Sequence, residues 1–113
     1  MKNWRIKEGP DYEVKEIFKD YSRIIKGHFS DTTQLSLLDI GCATGALIHF
    51  LKNDLKASGG FCGLDIDKDF IVNARERFSS SNIKFQVGDA IDFDLNCKFD
   101  VVTASSIITC FDE

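Results

Sequence analysis

The chain is short of several things, and each shortage removes a class of function. It has 113 residues and a single proline, Pro10, with no low-complexity tract and no repeat. Nothing reads as an interdomain linker, so a chain of this length is one domain, able to bury roughly two-thirds of its unfolded surface. Within it, residues 1–30 read as an N-terminal arm and amphipathic helix, and residues 31–113 as the body of the domain. No apolar run approaches the roughly 20 residues that a membrane span needs. Met1-Lys2-Asn3-Trp4 does not open a signal peptide, so the cytoplasm is the default and no membrane partner is expected. A basic excess is missing too: 14 Lys and Arg stand against 18 Asp and Glu, for a net charge of −4. That leaves no electrostatic footprint for a nucleic acid. Cys42, Cys62, Cys97 and Cys110 form no C-x-x-C pair, so free thiols are expected and a zinc site is not. Histidine is scarce. His28 and His49 each fall in a predicted helix, where packing or surface roles are expected, and no metal site and no general base stand out.

What is present alternates regularly. After the polar arm, Val14, Ile17, Phe18, Tyr21, Ile24, Ile25 and Phe29 recur at three- and four-residue intervals, the pattern of an amphipathic helix. Trp4, Tyr12 and Tyr21 offer a second use for that region, as a lid on a pocket. Leu35–Ile40 is a short Leu- and Ile-rich run that suits a strand buried on both faces. A helix follows from about Gly45 to Lys56, then a second strand at Phe61–Asp65, and a helix through Ala74 and Phe78 with Asp67 as its cap. Ile83–Val87 alternates apolar and polar, as a half-exposed strand near a sheet edge does. Phe99–Ala104 is a fourth strand rich in β-branched residues. Strands alternating with helices predict an α/β fold with an open, mostly parallel sheet and helices on both faces.

The chemistry gathers at strand ends. Asp39-Ile40-Gly41-Cys42-Ala43-Thr44-Gly45 is a glycine turn between the first strand and a helix, where backbone can come close to a ligand. The dinucleotide fingerprint needs glycines at 41, 43 and 46, and only Gly41 is there. A P-loop needs Gly-Lys-Ser or Gly-Lys-Thr, which is absent. Asp65 ends the second strand 24 residues after Gly41, a separation at which a carboxylate can accept from both hydroxyls of a ribose. Gly88-Asp89-Ala90 ends the third strand, with apolar Ile66 and Ile91 close in sequence to these polar groups and able to sandwich a base.

Together these segments resemble the motifs of class I S-adenosylmethionine-dependent methyltransferases. Asp39–Gly45 is similar to the family's D/E-x-G-x-G-x-G, with Ala43 in place of the middle glycine. Gly63-Leu64-Asp65-Ile66, Val87-Gly88-Asp89-Ala90 and Phe99–Ala104 look like the next three motifs, in the family's order and at compatible spacing. The resemblance implies a Rossmann-like sheet of about four strands in the order 3-2-1-4, truncated relative to the family's seven. It implies that Asp39 and the turn Gly41, Cys42, Ala43 and Gly45 hold the methionine end of S-adenosylmethionine, or of its product S-adenosylhomocysteine. Asp65 would hold the ribose, Asp89 and Ala90 the adenine, with Ile66 and Ile91 beside it, and Ala104 and Ser105 would face the cofactor's amino group. The Asn/Asp-Pro-Pro-Tyr/Phe motif of adenine- and glutamine-modifying members is replaced here by Ala104-Ser105-Ser106-Ile107-Ile108-Thr109, which points to a small-molecule substrate. A non-catalytic cofactor-binding module that needs a partner, and the nucleotide half of an NAD(P)-dependent oxidoreductase, are the alternatives. With the fourth strand at the sheet edge, pairing there with a second copy or a partner chain is also expected.

Overall fold

The computed structural model describes residues 14–90, 99–104 and 107–111. Eight elements follow one another: α1 (Glu16–His28), β1 (Leu37–Ile40), α2 (Ala46–Asp54), β2 (Phe61–Asp65), α3 (Lys68–Arg77), β3 (Lys84–Val87), β4 (Val101–Ala104) and β5 (Ile107–Cys110). The five strands form one sheet in the order β3-β2-β1-β4-β5. The first four strands are parallel and β5 runs antiparallel to β4. The predicted order 3-2-1-4 is therefore present, with one strand added.

That added strand corrects an expectation. Ala104 pairs with Ile107 and Val101 with Cys110, so the chain turns back on itself directly after β4. β4 is bonded on both sides, and the outer edge along which a second copy or partner was expected to pair does not exist there. The opposite edge is also managed. The Gly88 N–H donates to the Asp65 carbonyl of β2 at 2.9 Å, so by the alternation of the pleat the Phe85 carbonyl points outward. Arg75 of α3 donates to it through Nε (3.1 Å) and Nη2 (2.7 Å), occupying a group that an intruding strand would use.

The hydrophobic pattern explains how the layers meet. Tyr21 and Ile25 of α1, Ile48 and Leu51 of α2, and Ile71 and Ala74 of α3 share a single cluster with Leu37, Phe61, Phe85 and Val101 of the sheet. All three described helices thus cover one face. Right-handed crossovers that step from β1 to β2 to β3 in one direction require this of α2 and α3. The other face carries a smaller cluster of Leu38, Cys62 and Leu64, flanked by Ile40, Ala90, Phe99 and Val102. Helices on both faces were expected, but the connection that would serve this second face, residues 91–98, lies outside the described residues. α1 also buries a narrower stripe than its spacing predicts. Phe18, Tyr21, Ser22 and Ile25 are buried, while Ile17 and Ile24 stand exposed on its flank and Val14, also exposed, lies ahead of the helix. Tyr21, with 3% of its surface exposed, packs under the helix, not over a pocket. Trp4 and Tyr12 fall outside the described residues.

Candidate functional site

The register brings the predicted residues to one end of the sheet. Ile40 pairs with Leu64 on one side and with Ala104 on the other, and Asp65 pairs with Val87. The turn after β1, Asp65, Gly88-Asp89-Ala90 and Ala104 all therefore lie at the carboxyl ends of parallel strands. From β1 the chain goes to β2 on one side, while β4 pairs on the other. The site thus sits beside the point where the order reverses, the usual crevice for ligands in open α/β sheets.

The turn itself is built from backbone. Gly41, Ala43 and Gly45 all have positive φ, at 76°, 51° and 89°. Gly41 is exposed, and a Cβ placed there would meet nothing within 4 Å. Gly45 is the opposite case. It is buried, and a Cβ there would lie 2.9 Å from two ring atoms of Phe85 and 3.2 Å from Phe78. One glycine of the motif keeps a surface open, and the other lets α2 begin against the core.

The turn before α2 is bonded within the protein: Gly41 and Cys42 both donate to the Leu64 carbonyl, at 2.7 and 3.0 Å, Ala43 donates to Asp65 Oδ2 at 2.9 Å, and Gly45 donates to the Cys42 carbonyl at 2.9 Å. The Gly41, Cys42 and Ala43 donors thus continue the β1–β2 bonding past the ends of the strands.

The remaining predicted residues separate into those that face the crevice and those that support it. Asp65 is half-buried, and its second oxygen accepts the Asp67 N–H at 2.8 Å. Asp67 caps α3 as expected, accepting from the N–H groups of Asp69 (2.9 Å) and Phe70 (3.3 Å). Ile66 is 72% exposed beside Asp65, Asp89 is exposed, and Ala90 and Ala104 are half-buried. Ile91 and Ser105 lie outside the described residues.

Asp39 is almost entirely buried and accepts a 2.6 Å hydrogen bond from the Thr103 hydroxyl across the β1–β4 pair. Burial pushes its carboxyl up to about 7, opposed by the Thr103 bond and reinforced by the nearby Asp65 charge. Its evident work is to join β1 to β4 beneath the turn, a role the sequence pattern did not assign. Cys42 is buried in the main cluster, its thiol against the backbone of Gly63, and burial raises its pKa. Any contact of Cys42 with a ligand would have to come from its backbone. Cys42, Cys62 and Cys110 are free thiols. His49 stacks on Phe78 at 4.3 Å between ring centroids, and burial, then Arg77, hold its pKa down. Sequence reasoning also missed Arg77, a largely buried guanidinium that donates to the Thr44 hydroxyl of the turn at 3.3 Å. A charged residue among the polar positions of a helix gives no sign of reaching so far. A separate groove of about 590 Å³ lies at the amino ends of β2 and β3, lined by Gly59, Phe61, Arg75 and Ile83 among others. Its lining includes Phe78 and Phe85, whose rings also back Gly45, but the motif residues lie at the carboxyl ends of the strands and define the site.

Comparison with known proteins agrees with this geometry. Residues 31–113 match the family described as a methyltransferase domain. A malonyl-[acyl-carrier protein] O-methyltransferase of Acetivibrio thermocellus is 33% identical over 81 residues, which cover 72% of this chain and 28% of that protein. Ribosomal RNA large subunit methyltransferase E of Brachyspira hyodysenteriae is 28% identical over 101 residues, covering 86% of this chain and 48% of the relative. The chain thus spans less than half the length of these curated relatives. Among solved structures, the plantazolicin methyltransferase BpumL in complex with S-adenosylhomocysteine superposes with a TM-score of 0.61 at 26% identity, covering 79% of this chain and 32% of that one. An S-adenosylmethionine-dependent methyltransferase from Geobacter sulfurreducens, also holding S-adenosylhomocysteine, gives 0.67 at 17% identity over 90% of this chain and 39% of the other, a likeness of fold. The chain belongs to the methyltransferase domain family, with the fold of the class I enzymes whose cofactor is S-adenosylmethionine.

Proposed function

We propose that this chain forms the cofactor-binding part of a methyltransferase that acts on a small molecule. The observation that carries the reading is the gathering of Asp65, Asp89 and the open surface at Gly41 at the carboxyl ends of neighbouring parallel strands. The N–H groups of Gly41, Cys42, Ala43 and Gly45 are bonded within the protein, so side chains beside the turn carry much of the recognition. What faces outward is open space at Gly41, the Asp65 carboxylate, the apolar Ile66 and the carboxylate of Asp89. That set suits a nucleoside, and Ala43 and Ala46 in place of the dinucleotide glycines disfavour the nicotinamide alternative.

In this reading Asp65 accepts from the ribose hydroxyls. A carboxylate has about four lone-pair sites, and the Ala43 and Asp67 N–H groups leave others for a ligand. Asp89 and the Ala90 N–H meet the adenine edge, Ile66 and Ile91 cover its faces, and Ala104 and Ser105 face the amino group. Asp39, buried behind the turn, supports the methionine end through backbone or water. When bound, S-adenosylmethionine supplies a methyl group already made electrophilic by its sulfonium, so the protein's task is mainly alignment. The small-molecule assignment rests on the missing Asn/Asp-Pro-Pro-Tyr/Phe motif and on the net charge of −4. The non-catalytic module is the second reading, favoured by one observation: His49, one of the two histidines, is packed against Phe78 in the helical layer.

Calorimetry with S-adenosylmethionine, S-adenosylhomocysteine and NADH tests the reading. The first two should bind and NADH should not. At about a hundred times its dissociation constant, either of them should stabilise the chain by about 2.7 kcal/mol. A folded chain whose melting is unmoved by both, or one that binds only NADH, would refute it.

A further inference from the structure

We infer that Asp65 is also a latch that holds the glycine turn in its binding shape before any ligand arrives. The latch geometry stands on the hydrogen bonds alone, and its consequence for affinity rests on the cofactor reading above. Ala43 sits in the left-handed region at φ 51°, where an alanine is disfavoured and drifts out unless something keeps it there. What keeps it there is its N–H, which reaches across 22 residues of sequence to Asp65 Oδ2 at 2.9 Å. The carboxylate is in turn oriented by its other oxygen, which accepts the Asp67 N–H at 2.8 Å in a local Asx turn. The backbone of the same residue is anchored as well, its carbonyl accepting the Gly88 N–H at 2.9 Å. Asp65 therefore joins the turn after β1, the turn into α3 and the end of β3. The Leu64 carbonyl, one residue earlier, takes the Gly41 and Cys42 N–H groups and fixes the near side of the turn.

Removing the carboxylate would release Ala43, and the turn would relax away from the shape that Gly41 and Gly45 frame. An asparagine could satisfy only one of the two N–H donors. Its amide keeps one acceptor oxygen and turns an NH₂ group toward one of the two N–H donors. Asp65 thus acts on the methionine end of the site through Ala43, in addition to meeting the ribose directly. The two roles separate experimentally, because a ribose acceptor serves adenosine and S-adenosylhomocysteine alike, whereas the shape of the turn matters only to the ligand that carries the methionine portion.

The test uses the whole chain, wild type and Asp65→Ala, with Asp65→Val as a second variant that also lacks any acceptor. Without ligand, hydrogen exchange of the Ala43 amide should be at least about tenfold slower than in an unstructured peptide. In both variants it should rise to that rate while the amides of Leu38 and Cys62 stay protected. A wild-type Ala43 amide that already exchanges freely, or one still protected in the folded variants, overturns the latch. With ligands, the preference for S-adenosylhomocysteine over adenosine should shrink at least about fivefold in Asp65→Ala, the size expected for one weakened interaction. An unchanged preference, with both ligands weakened equally, leaves Asp65 as a ribose acceptor only and overturns the latch. If the wild type binds neither ligand, the cofactor reading fails and the exchange measurement alone decides the latch.

Discussion

The two glycines of the turn, Gly41 and Gly45, should respond in opposite ways to the same substitution. Both have positive φ, so alanine at either position brings a backbone cost of about 1–2 kcal/mol. At Gly41 the cost ends there, because the added methyl group meets nothing within 4 Å. At Gly45 the methyl group would sit 2.9 Å from Cε1 and Cζ of Phe85 and 3.2 Å from Cδ2 of Phe78. Both rings are buried, and Phe78 is stacked on His49, so neither can swing into solvent. Overpacking of that kind adds about 1–3 kcal/mol. Gly45→Ala should therefore cost about 2–5 kcal/mol, a large part of the roughly 5–15 kcal/mol that holds such a domain folded. At about 4–8 °C per kcal/mol, its melting temperature should fall by about 8–40 °C, against about 4–16 °C for Gly41→Ala. Affinity for S-adenosylhomocysteine should show the reverse emphasis, with Gly41→Ala losing most because its methyl group enters the open side. Thermal melts and calorimetry on both variants supply the two readouts. Equal losses of stability, or a Gly41→Ala chain that binds normally, would refute the division of labour between the two glycines.

Two further predictions follow from charged groups near the site. Asp67→Ala should lose the two capping bonds of α3 and about 1 kcal/mol in a urea melt, while leaving affinity for S-adenosylhomocysteine within about twofold. A loss of affinity matching that of Asp65→Ala would show that the two carboxylates were assigned the wrong way round. Asp39, raised to about 7 by burial, binds its proton more tightly in the folded chain than in the unfolded one. Its contribution to stability is therefore full below about pH 4 and is lost as the pH rises through about 7. His49, held down by burial and by Arg77, acts in the opposite sense, with its contribution present above the ordinary histidine value and lost on acidification. Asp39→Asn should remove the first of these and leave the second, so its stability from about pH 4 to 7 should rise more steeply with pH than that of the wild type. Parallel curves for the two chains would show that Asp39 does not titrate in this range.

Much of the fold was legible because several signals coincide in the same short segments. The strands β1 to β3 are brief apolar or alternating runs ended by glycine or a carboxylate, β4 stands out by its β-branched content, and α2 and α3 begin at a recognisable turn or cap. Asp67 is a clear instance, since its position before Lys68 is where a cap belongs, and that is where it acts. β5 was missed for a physical reason. Ile107-Ile108-Thr109-Cys110 has the β-branched content of a strand, but four residues after a Ser-Ser pair give no period long enough to separate strand from helix. Only the free edge of β4 decides the matter, and an edge is a property of the assembled sheet. The exposed Ile17 and Ile24 teach the same lesson from the other side. Their spacing fits the helix, but how wide a stripe the sheet and α2 can cover is not written in α1 itself.

Ala43 shows where reading by motif stops and reading by geometry has to take over. As a departure from a glycine pattern, it suggests a methyl group that narrows a pocket. In the folded chain the more consequential fact is its left-handed backbone, held by a hydrogen bond that its N–H donates to a residue the same pattern assigns to the ligand. A glycine at this position would reach that conformation unaided, whereas an alanine needs Asp65 to stay there. The substitution and the carboxylate are therefore coupled. What looks in the sequence like one weakened motif followed by one intact one is, in the structure, a single device. Its two halves lie 22 residues apart and are joined by the end of β2.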